Sequence, residues 1–294
     1  MKKTAEKIQR VGVIGNPDKQ SCARSVIRAA TLIRAAGREV FTEPVTARLA
    51  KLNATVCLDT AQLAREVDLL LVFGGDGTML RVARDTAGVA TPLLGINIGG
   101  LGFLTAVPSD HLERALKRIW LGEFKFERRA LLEVKARVGG KVIRKLALND
   151  IVVGRGEVAR LIDLEVVVNS DPLTRYRCDG LIVSSPTGST AYSLAAGGAV
   201  VLPTADVFAL TPICPHTLSN RSLIVPLNAT IHIKPVSKGP ATILSADGDV
   251  LSELTPQDTV TVRRSRYSVK LMHLADSSFF EALRRKLQWR GAYL

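Results

Sequence analysis

Residues 69–78 read LLLVFGGDGT, five apolar residues that run directly into a glycine-rich turn. A short apolar run bounded by a turn is typical of a buried strand, and residues 79–87 after the turn have helical character. In open α/β sheets, ligands bind at the carboxyl ends of the strands. The segment therefore predicts a strand, turn and helix with a ligand site at residues 74–78, which we call the first glycine turn.

The flanking sequence repeats this pattern and predicts an α/β domain. Apolar runs at residues 11–14 and 93–96 are typical of further strands, and residues 21–36 form an amphipathic pattern that stops at Gly37. Strands that alternate with helices indicate βαβ units around a parallel sheet. We predict this domain over residues 1–125, with a second glycine turn at residues 97–102.

The second half of the chain has a different periodicity. Beyond Glu127 the helical period nearly vanishes, and residues 162–168 alternate apolar and polar side chains as half-buried antiparallel strands do. We predict a β-sandwich-like domain over residues 126–274. Phe279, Phe280, Leu283 and Leu287 form a helical stripe, so we expect the tail, residues 275–294, to pack on the first domain.

Composition limits the function classes. With 294 residues, 47% of them apolar and 23% charged, the chain is ordinary globular protein, and its longest weakly polar stretch is shorter than the ~20 residues that span a bilayer. We expect a cytoplasmic protein with no membrane partner. The net charge of +13 indicates anionic ligands, and no nucleic-acid-binding module accompanies it. The spacing of the four cysteines and four histidines indicates neither a disulfide framework nor a zinc site.

The first glycine turn has the composition of a phosphate site. Its three glycines let backbone amides approach a phosphate closely. Asp76 would repel that anion, so its presence indicates another task, either accepting a proton or holding magnesium. The alternative is an ordinary turn whose aspartate satisfies local amides.

Two further segments carry polar groups next to predicted strands. Residues 179–193 place a dense set of hydroxyls after an apolar strand, between Asp179 and the aromatic Tyr192, whose ring could face an adenine. Free amides and hydroxyls at such a helix start suit a polar ligand. The adjacent Asn149 and Asp150 offer both donor and acceptor groups to ribose hydroxyls or to a base edge, although this dipeptide is also common in turns.

Together these segments resemble the NAD kinase family over most of the chain. The GGDG turn alone is weakly specific, because lipid kinases and phosphofructokinases have similar turns. Residues 186–193 followed by the sequence PICPH at 212–216, within the block 211–221, are much more specific. The resemblance implies an α/β nucleotide-kinase domain at residues 1–125 and a β-rich dinucleotide-binding domain at residues 126–274. It also implies ATP as phosphoryl donor, a divalent cation such as Mg²⁺, and a homodimer or homotetramer.

The resemblance also implies roles for individual residues. Asp76 matches the catalytic carboxylate, and the donor phosphates are expected at Gly74, Gly75, Gly77 and Thr78; no metal ligands are assigned. The residues expected on NAD are Asp76, Gly77, Arg81, Asn149, Asp150, Arg160, Arg177, Asp179, Thr190, Ala191, Tyr192, Ser193, Leu194, Ala195 and Asp249. Arg177 matches a position whose arginine suits NAD rather than NADH. Arg160 stands where relatives often have histidine, and Asp249 where many have glutamine.

Three functions are weighed on this basis. An NAD kinase moves the γ-phosphate of ATP to the 2′-hydroxyl of the adenosine ribose, a reaction that depends on alignment and charge stabilisation. Another GGDG-type kinase would act on a lipid or sugar phosphate, and a lipid enzyme should show an apolar docking stripe, which the sequence lacks. A nonenzymatic NAD(H)-binding sensor would not need Asp76.

Overall fold

The computed structural model describes residues 2–100, 102–105, 107–216, 221–236 and 241–289. The chain forms two compact units: unit 1 is Met1–Arg128 with Val269–Leu294, and unit 2 is Arg129–Ser268. The sequence pattern places these divisions at 125/126 and 274/275. Within the described ranges, no helix combines the length and apolar character needed to cross a bilayer.

Unit 1 contains a parallel sheet flanked by helices. Its strands are β1 (Arg10–Gly15), β2 (Glu39–Thr42), β3 (Thr55–Val56), β4 (Leu69–Gly74), β5 (Leu93–Asn97) and β6 (Val107–Pro108). Its helices are α1 (Lys2–Ala5), α2 (Gln20–Ala35), α3 (Pro44–Ala50), α4 (Thr60–Glu66), α5 (Asp76–Asp85) and α6 (Leu112–Trp120), the last preceded by a 3₁₀ turn at Ser109–His111. The strand order is β5-β4-β1-β2-β3, with β6 paired to β5, and all these pairs are parallel.

The central strands of unit 1 are apolar because both of their faces are covered. Every residue of β4 and β5 is buried. Helix α2 buries one face, formed by Cys22, Val26, Ala29, Ala30 and Ile33, in the core of this unit. Since β1, β4 and β5 are neighbouring parallel strands, the segments that follow them meet at one edge of the sheet.

Unit 2 contains two antiparallel sheets. Its elements are β7 (Phe124–Val138), β8 (Lys141–Ala147), β9 (Asp150–Arg155), β10 (Ile162–Val168), β11 (Asp171–Cys178), β12 (Gly180–Ser184), a 3₁₀ turn at Thr187–Thr190, α7 (Tyr192–Ala195), β13 (Val207–Ile213), β14 (Leu223–Pro226), β15 (Ile231–Pro235), β16 (Thr242–Ala246), β17 (Asp249–Leu254) and β18 (Thr259–Leu274). One sheet has the order β14-β13-β12-β9-β16-β17. The other contains β11-β10-β15-β18 and the hairpin β7-β8.

The apolar core of unit 2 takes side chains from both sheets, among them Val134 and Leu164 from one and Val153 and Leu181 from the other. Strands β7 and β18 contain the divisions between the units. The expected fold class, an α/β domain with a parallel sheet and a β-sandwich-like domain, is confirmed.

The tail belongs to unit 1, as the sequence predicts. Helix α8 (Phe279–Leu287) begins after Ser278, whose hydroxyl accepts the Glu281 amide. The Phe279 ring centre lies 6.3 Å from that of Phe103, and Lys286 Nζ lies 4.6 Å from the Phe103 ring centre. Of the predicted stripe, Leu283 is buried, whereas Phe280 is 56% exposed.

Candidate active site

The first glycine turn is shorter than the sequence indicates. Gly74 is the last residue of β4 and Asp76 is the first residue of α5, so the helix begins at residue 76 and not at residue 79. A Cβ added at Gly74 would lie 2.3 Å from Thr78 Oγ1, which explains why this position needs glycine. Residues 76–78 therefore form the first turn of a helix. The Thr78 amide donates to the Gly75 carbonyl at 3.1 Å, and the amides before it lie at the helix start, where backbone N–H groups have no partner within the helix.

Asp76 holds the segment that follows the second glycine turn. Its Oδ2 accepts the Phe103 amide at 2.9 Å, and its Oδ1 accepts the amides of Leu104 and Thr105 at 3.1 and 3.3 Å. A Cβ at Gly102 would lie 2.0 Å from Asp76 Oδ1, so only glycine fits there. Asp76 therefore accepts backbone amides, but these amides lie in residues 103–105 and not in its own turn, where the ordinary-turn alternative expects them.

The second glycine turn lies beside the first. The Ile98 amide donates to the Gly74 carbonyl at 3.0 Å, and Asn97 Nδ2 donates to the Gly100 carbonyl and to Thr105 Oγ1, both at 2.8 Å. Leu101 lies outside the described residues. A lysine that the sequence analysis did not single out, Lys19, donates its Nζ to the Ile98 carbonyl at 3.0 Å.

In unit 2, Asn149 and Asp150 are held at the start of β9 from two sides. Asp247 accepts the amides of Leu148, Asn149 and Asp150 at 2.9, 2.8 and 3.2 Å, and its own amide donates to the Asp150 carbonyl at 3.0 Å. On the other side, the Ser185 amide donates to the Asn149 carbonyl at 2.8 Å. The structure thus brings together three segments that are distant in sequence, around residues 149, 185 and 247.

Asp150 is a buried carboxyl group, with 5% of its surface exposed. Burial, and then the nearby negative charge of Asp247, raise the pKa of Asp150 from 3.8 to about 7. Both causes disfavour the charged form. A proton on this carboxyl is therefore gained and lost near neutral pH.

The hydroxyl-rich segment after β12 is packed tightly. Thr187–Thr190 form the 3₁₀ turn, and a Cβ at Gly188 would lie 2.1 Å from the Asn149 carbonyl oxygen. Ser193 is buried and shares a hydrogen bond of 2.9 Å with Thr211, which places the two most specific sequence blocks in contact. Thr190, Ala191 and Leu194 are half-buried, Ala195 is exposed and Tyr192 is 48% exposed.

The remaining candidate residues lie nearer the surface of their units. Gly77 is exposed, and Arg81 pairs with Asp85 at 3.5 Å. Arg160, Arg177 and Asp249 are exposed, Arg177 standing opposite Asp163 in the β10–β11 pair. Asp179 pairs with Arg155 Nε at 2.9 Å. Thr217, Leu218, Ser219 and Asn220, which contribute to the family resemblance, lie outside the described residues.

Sequence reasoning missed four charged residues at these segments: Lys19, Arg129, Arg155 and Asp247. Arg129 is 5% exposed and its Nη1 donates to Thr187 Oγ1 at 3.3 Å. Arg129 and Arg155 each lie in a β-rich stretch with no motif around them. Asp247 is part of a DGD sequence that is typical of a turn, so only its neighbour Asp249 was selected.

Comparison with known proteins finds matches over both units. Residues 11–124 match the family model described as the ATP-NAD kinase N-terminal domain, and residues 148–274 match the ATP-NAD kinase C-terminal domain. The NAD kinase of Syntrophotalea carbinolica is 40% identical over 286 residues, which are 96% of this chain and 99% of that protein. The NAD kinase of Thiobacillus denitrificans is 39% identical over 280 residues, 95% of this chain and 96% of that protein.

Two solved structures are also similar. Yeast NADH kinase complexed with NADH superposes with a TM-score of 0.88 at 26% identity, covering 98% of this chain and 89% of the yeast chain. An NAD kinase from Archaeoglobus fulgidus in complex with ATP superposes with a TM-score of 0.74 at 26% identity, covering 96% of this chain and 100% of that one.

Proposed function

The chain belongs to the NAD kinase family, and we propose that it transfers the γ-phosphate of ATP to the 2′-hydroxyl of the adenosine ribose of NAD, giving NADP. The observation that carries this function is the match of both family domains together with nearly full-length similarity to NAD kinases. The relatives solved with ATP and with NADH support ATP as donor and a nicotinamide dinucleotide as acceptor.

In this proposal, unit 1 supplies the donor site and the catalytic carboxylate. Gly74, Gly75, Gly77 and Thr78 hold donor phosphate at the start of α5, where the free amides and the helix dipole favour an anion. Asp76 is the carboxylate of this turn. The three hydrogen bonds that it accepts from backbone amides fix its orientation, and general-base catalysis requires such a fixed orientation.

Unit 2 supplies the residues for the acceptor. Asn149 and Asp150 bind ribose hydroxyls, and Asp179 with residues 190–195 lies around the adenine and nicotinamide groups. Arg160, Arg177 and Asp249 make further contacts with NAD, and unit 1 adds Arg81 and Gly77 to the acceptor residues. The support for this assignment is the packing of residues 148–150 against residues 185–188, which keeps the Asn149–Asp150 pair rigid.

A divalent cation, Mg²⁺ by its usual pairing with ATP, is part of the proposal. Within the residues that the structure describes, no three acidic, histidine or cysteine side chains converge into a metal cage. The carboxylate oxygens of Asp76 at the start of α5 fit Mg²⁺, which takes oxygen ligands, keeps several waters and is bound mainly by substrate phosphates with one or two carboxylates. Asp76 is the carboxylate that would hold it, and the cation would neutralise phosphate charge.

The reaction then needs little covalent work from the protein. The 2′-oxygen attacks the γ-phosphorus, the bond to the β,γ-bridging oxygen breaks, and ADP leaves with that electron pair. Asp76 accepts the hydroxyl proton late in the transfer. Alignment of the 2′-hydroxyl with the donor phosphate supplies most of the rate enhancement.

The test is product formation by the purified chain. ATP, Mg²⁺ and NAD are incubated together, and NADP is read with an NADP-specific dehydrogenase. We expect NADP that depends on all three additions, with the new phosphate on the 2′-position by ³¹P NMR. Binding of NAD without phosphorylation would indicate the sensor function, and turnover of only lipid or sugar acceptors would indicate another kinase of the GGDG type.

We also propose a cytoplasmic homodimer or homotetramer. A unit made of many short strands leaves sheet edges that need cover, and symmetric self-association is a common solution. Light scattering over a dilution series should give the mass of two or four chains. A stable, active monomer at micromolar concentration would contradict this assembly.

A further inference from the structure

Lys19 lies between the two glycine turns of unit 1. It follows β1 and precedes α2, and its Nζ donates to the Ile98 carbonyl at 3.0 Å. A Cβ added at Gly99 would lie 3.5 Å from this nitrogen, and one added at Gly75 would lie 4.0 Å from it. The ammonium group therefore stands next to the backbone of both turns, at the carboxyl edge of β1, β4 and β5.

The charge of Lys19 has no acidic partner in the part of the chain that the structure describes. Asp76, the carboxylate of the same edge, has both oxygens engaged by the amides of residues 103–105. An ammonium group has three N–H donors, and the Ile98 carbonyl takes one of them. Lys19 is half-buried, so its remaining donors are held beside the turns rather than moving freely in water.

An unneutralised cation beside glycine amides has the composition of a polyphosphate site. The amides approach phosphate oxygens closely, and the ammonium adds shorter, charge-assisted hydrogen bonds. We propose that Lys19 binds the phosphate chain of ATP at the first glycine turn. This inference rests on the proposed assignment of residues 74–78 to the phosphoryl donor.

A purely structural role is the competing explanation. In that case Lys19 only ties the Ile98 carbonyl in place, and its loss disturbs the donor and acceptor steps alike. Inorganic tripolyphosphate distinguishes the two, because it has the phosphate chain of ATP without the base or the ribose. As an inhibitor competing with ATP, it reports on the phosphate subsite alone.

The experiment compares Lys19→Met with Lys19→Arg in the full-length enzyme. Lys19→Met keeps the length of the side chain but loses its charge and donors. We expect its KM for ATP and the inhibition constant of tripolyphosphate to rise about tenfold, which is the loss of one charge-assisted contact. The KM for NAD should change less than about threefold, and Lys19→Arg should restore most of the tripolyphosphate affinity because it keeps the positive charge.

Lys125→Met is the matched control. Lys125 is also in unit 1 and donates its Nζ to a backbone carbonyl, that of Ser277, at 2.6 Å. We expect its constants for ATP and tripolyphosphate to match those of the unmodified enzyme. An unchanged tripolyphosphate constant in Lys19→Met overturns the proposal, as do equal rises in the KM for ATP and for NAD.

A second variant distinguishes a failure of the Lys19 proposal from a failure of the assignment of residues 74–78 to the phosphoryl donor. Gly77 has no atom within 4 Å of an added Cβ, so Gly77→Ala leaves the fold intact and only occupies space beside the turn. If Gly77→Ala leaves tripolyphosphate inhibition unchanged while Lys19→Met weakens it, the donor assignment of the turn fails and Lys19 stands as an anion-binding residue. If Gly77→Ala weakens inhibition and Lys19→Met does not, only the Lys19 proposal fails.

Discussion

Asp76 in unit 1 and Asp247 in unit 2 make the same kind of contact with opposite consequences. Each carboxylate accepts three backbone amides of a distant segment, residues 103–105 in unit 1 and residues 148–150 in unit 2. In unit 1 the carboxylate itself is the proposed reactive group. In unit 2 the proposed binding residues are on the segment, and the carboxylate only holds them. A residue recognised from a sequence motif can therefore be the carboxylate that accepts the amides, as Asp76 is, or can belong to the segment that donates them, as Asn149 and Asp150 do.

The largest effect is expected for Asp76→Asn, because it removes the proposed proton acceptor. We expect kcat to fall about 10²-fold or more, the scale of a general base, with the affinity for NAD nearly unchanged. Steady-state kinetics and NAD binding by calorimetry check this. Asp258→Asn is the control, since Asp258 also accepts backbone amides, those of Gly139 and Thr255, but carries no proposed role. Near-normal turnover in folded Asp76→Asn enzyme would remove Asp76 from the reaction.

The next effect concerns the contact between Gly188 and Asn149. A methyl group at Gly188 must displace the Asn149 backbone, because its Cβ would lie 2.1 Å from the carbonyl oxygen. We expect Gly188→Ala to lower the free energy of unfolding by about 1–3 kcal/mol and to weaken NAD binding. Gly154→Ala is the control, as its Cβ would have an ordinary separation of 3.6 Å from its nearest neighbour. Equal urea midpoints for the two variants would contradict the close approach at Gly188.

Asp247→Ala tests the support of the Asn149–Asp150 pair. Three amides lose their acceptor, so we expect the pair to shift and the dissociation constant for NAD to rise about tenfold. Asp247→Asn keeps one carbonyl acceptor and should fall between Asp247→Ala and the unmodified enzyme. Asp258→Ala removes the acceptor of two backbone amides away from the pair, and we expect it to change stability but not NAD affinity.

The smallest expected effect is a change with pH of the free energy of unfolding, caused by the titration of Asp150. Its pKa is raised to about 7, so between about pH 4 and pH 7 the folded chain keeps a proton that the unfolded chain releases. The contribution of Asp150 to stability is therefore lost as the pH rises through this window and is constant above it. Asp150→Asn lacks this titration, so its stability relative to the unmodified enzyme should increase by roughly 1 kcal/mol or more from pH 5 to pH 8.

Asp258→Asn provides the contrast in the same denaturation series. Burial alone would raise the pKa of Asp258, but hydrogen bonds from Thr255 and Gly139 outweigh it and lower the pKa. The stabilising effect of this carboxylate is lost only as the pH falls through that lowered value. We therefore expect the stability difference between Asp258→Asn and the unmodified enzyme to be flat from pH 5 to pH 8. If the stability difference between Asp150→Asn and the unmodified enzyme is also constant from pH 5 to pH 8, the pKa of Asp150 is not raised.

Local patterns predicted the elements well and the contacts poorly. The apolar run before Gly74 predicts β4, but Gly75 and Gly77 have low helix propensity, so the sequence starts the helix at residue 79. Packing and hydrogen bonding decide instead, because Thr78 is buried on the same helix as Met79, and the amides of both residues donate to the Gly75 carbonyl, so the helix extends back to Asp76. The change of periodicity near Glu127 reflects the beginning of β7, a strand of 15 residues.

The hydrogen bonds that hold the site residues in place could not be predicted, since the groups that they join are distant in sequence. The amides that Asp76 accepts are 27 to 29 residues away, and those that Asp247 accepts are 97 to 99 residues away. A DGD sequence is typical of a turn whether or not its first aspartate holds another loop. Lys19 likewise acquires its position only when β1, β4 and β5 lie side by side.

Single-turnover kinetics test the division of roles between the two units most directly. Enzyme in excess over NAD is mixed rapidly with ATP and Mg²⁺, and NADP is measured as a function of enzyme concentration for Asp76→Asn and Asp247→Ala. We predict that Asp76→Asn slows the step at saturation about 10²-fold with a half-saturating concentration near normal, because it removes the group that accepts the proton and would hold Mg²⁺, and leaves the unit 2 contacts with NAD in place. Asp247→Ala should raise the half-saturating concentration about tenfold and leave the saturated rate within about threefold. The reverse pattern, weak NAD binding in Asp76→Asn and a slow saturated step in Asp247→Ala, would contradict the assignment of chemistry to unit 1 and acceptor binding to unit 2.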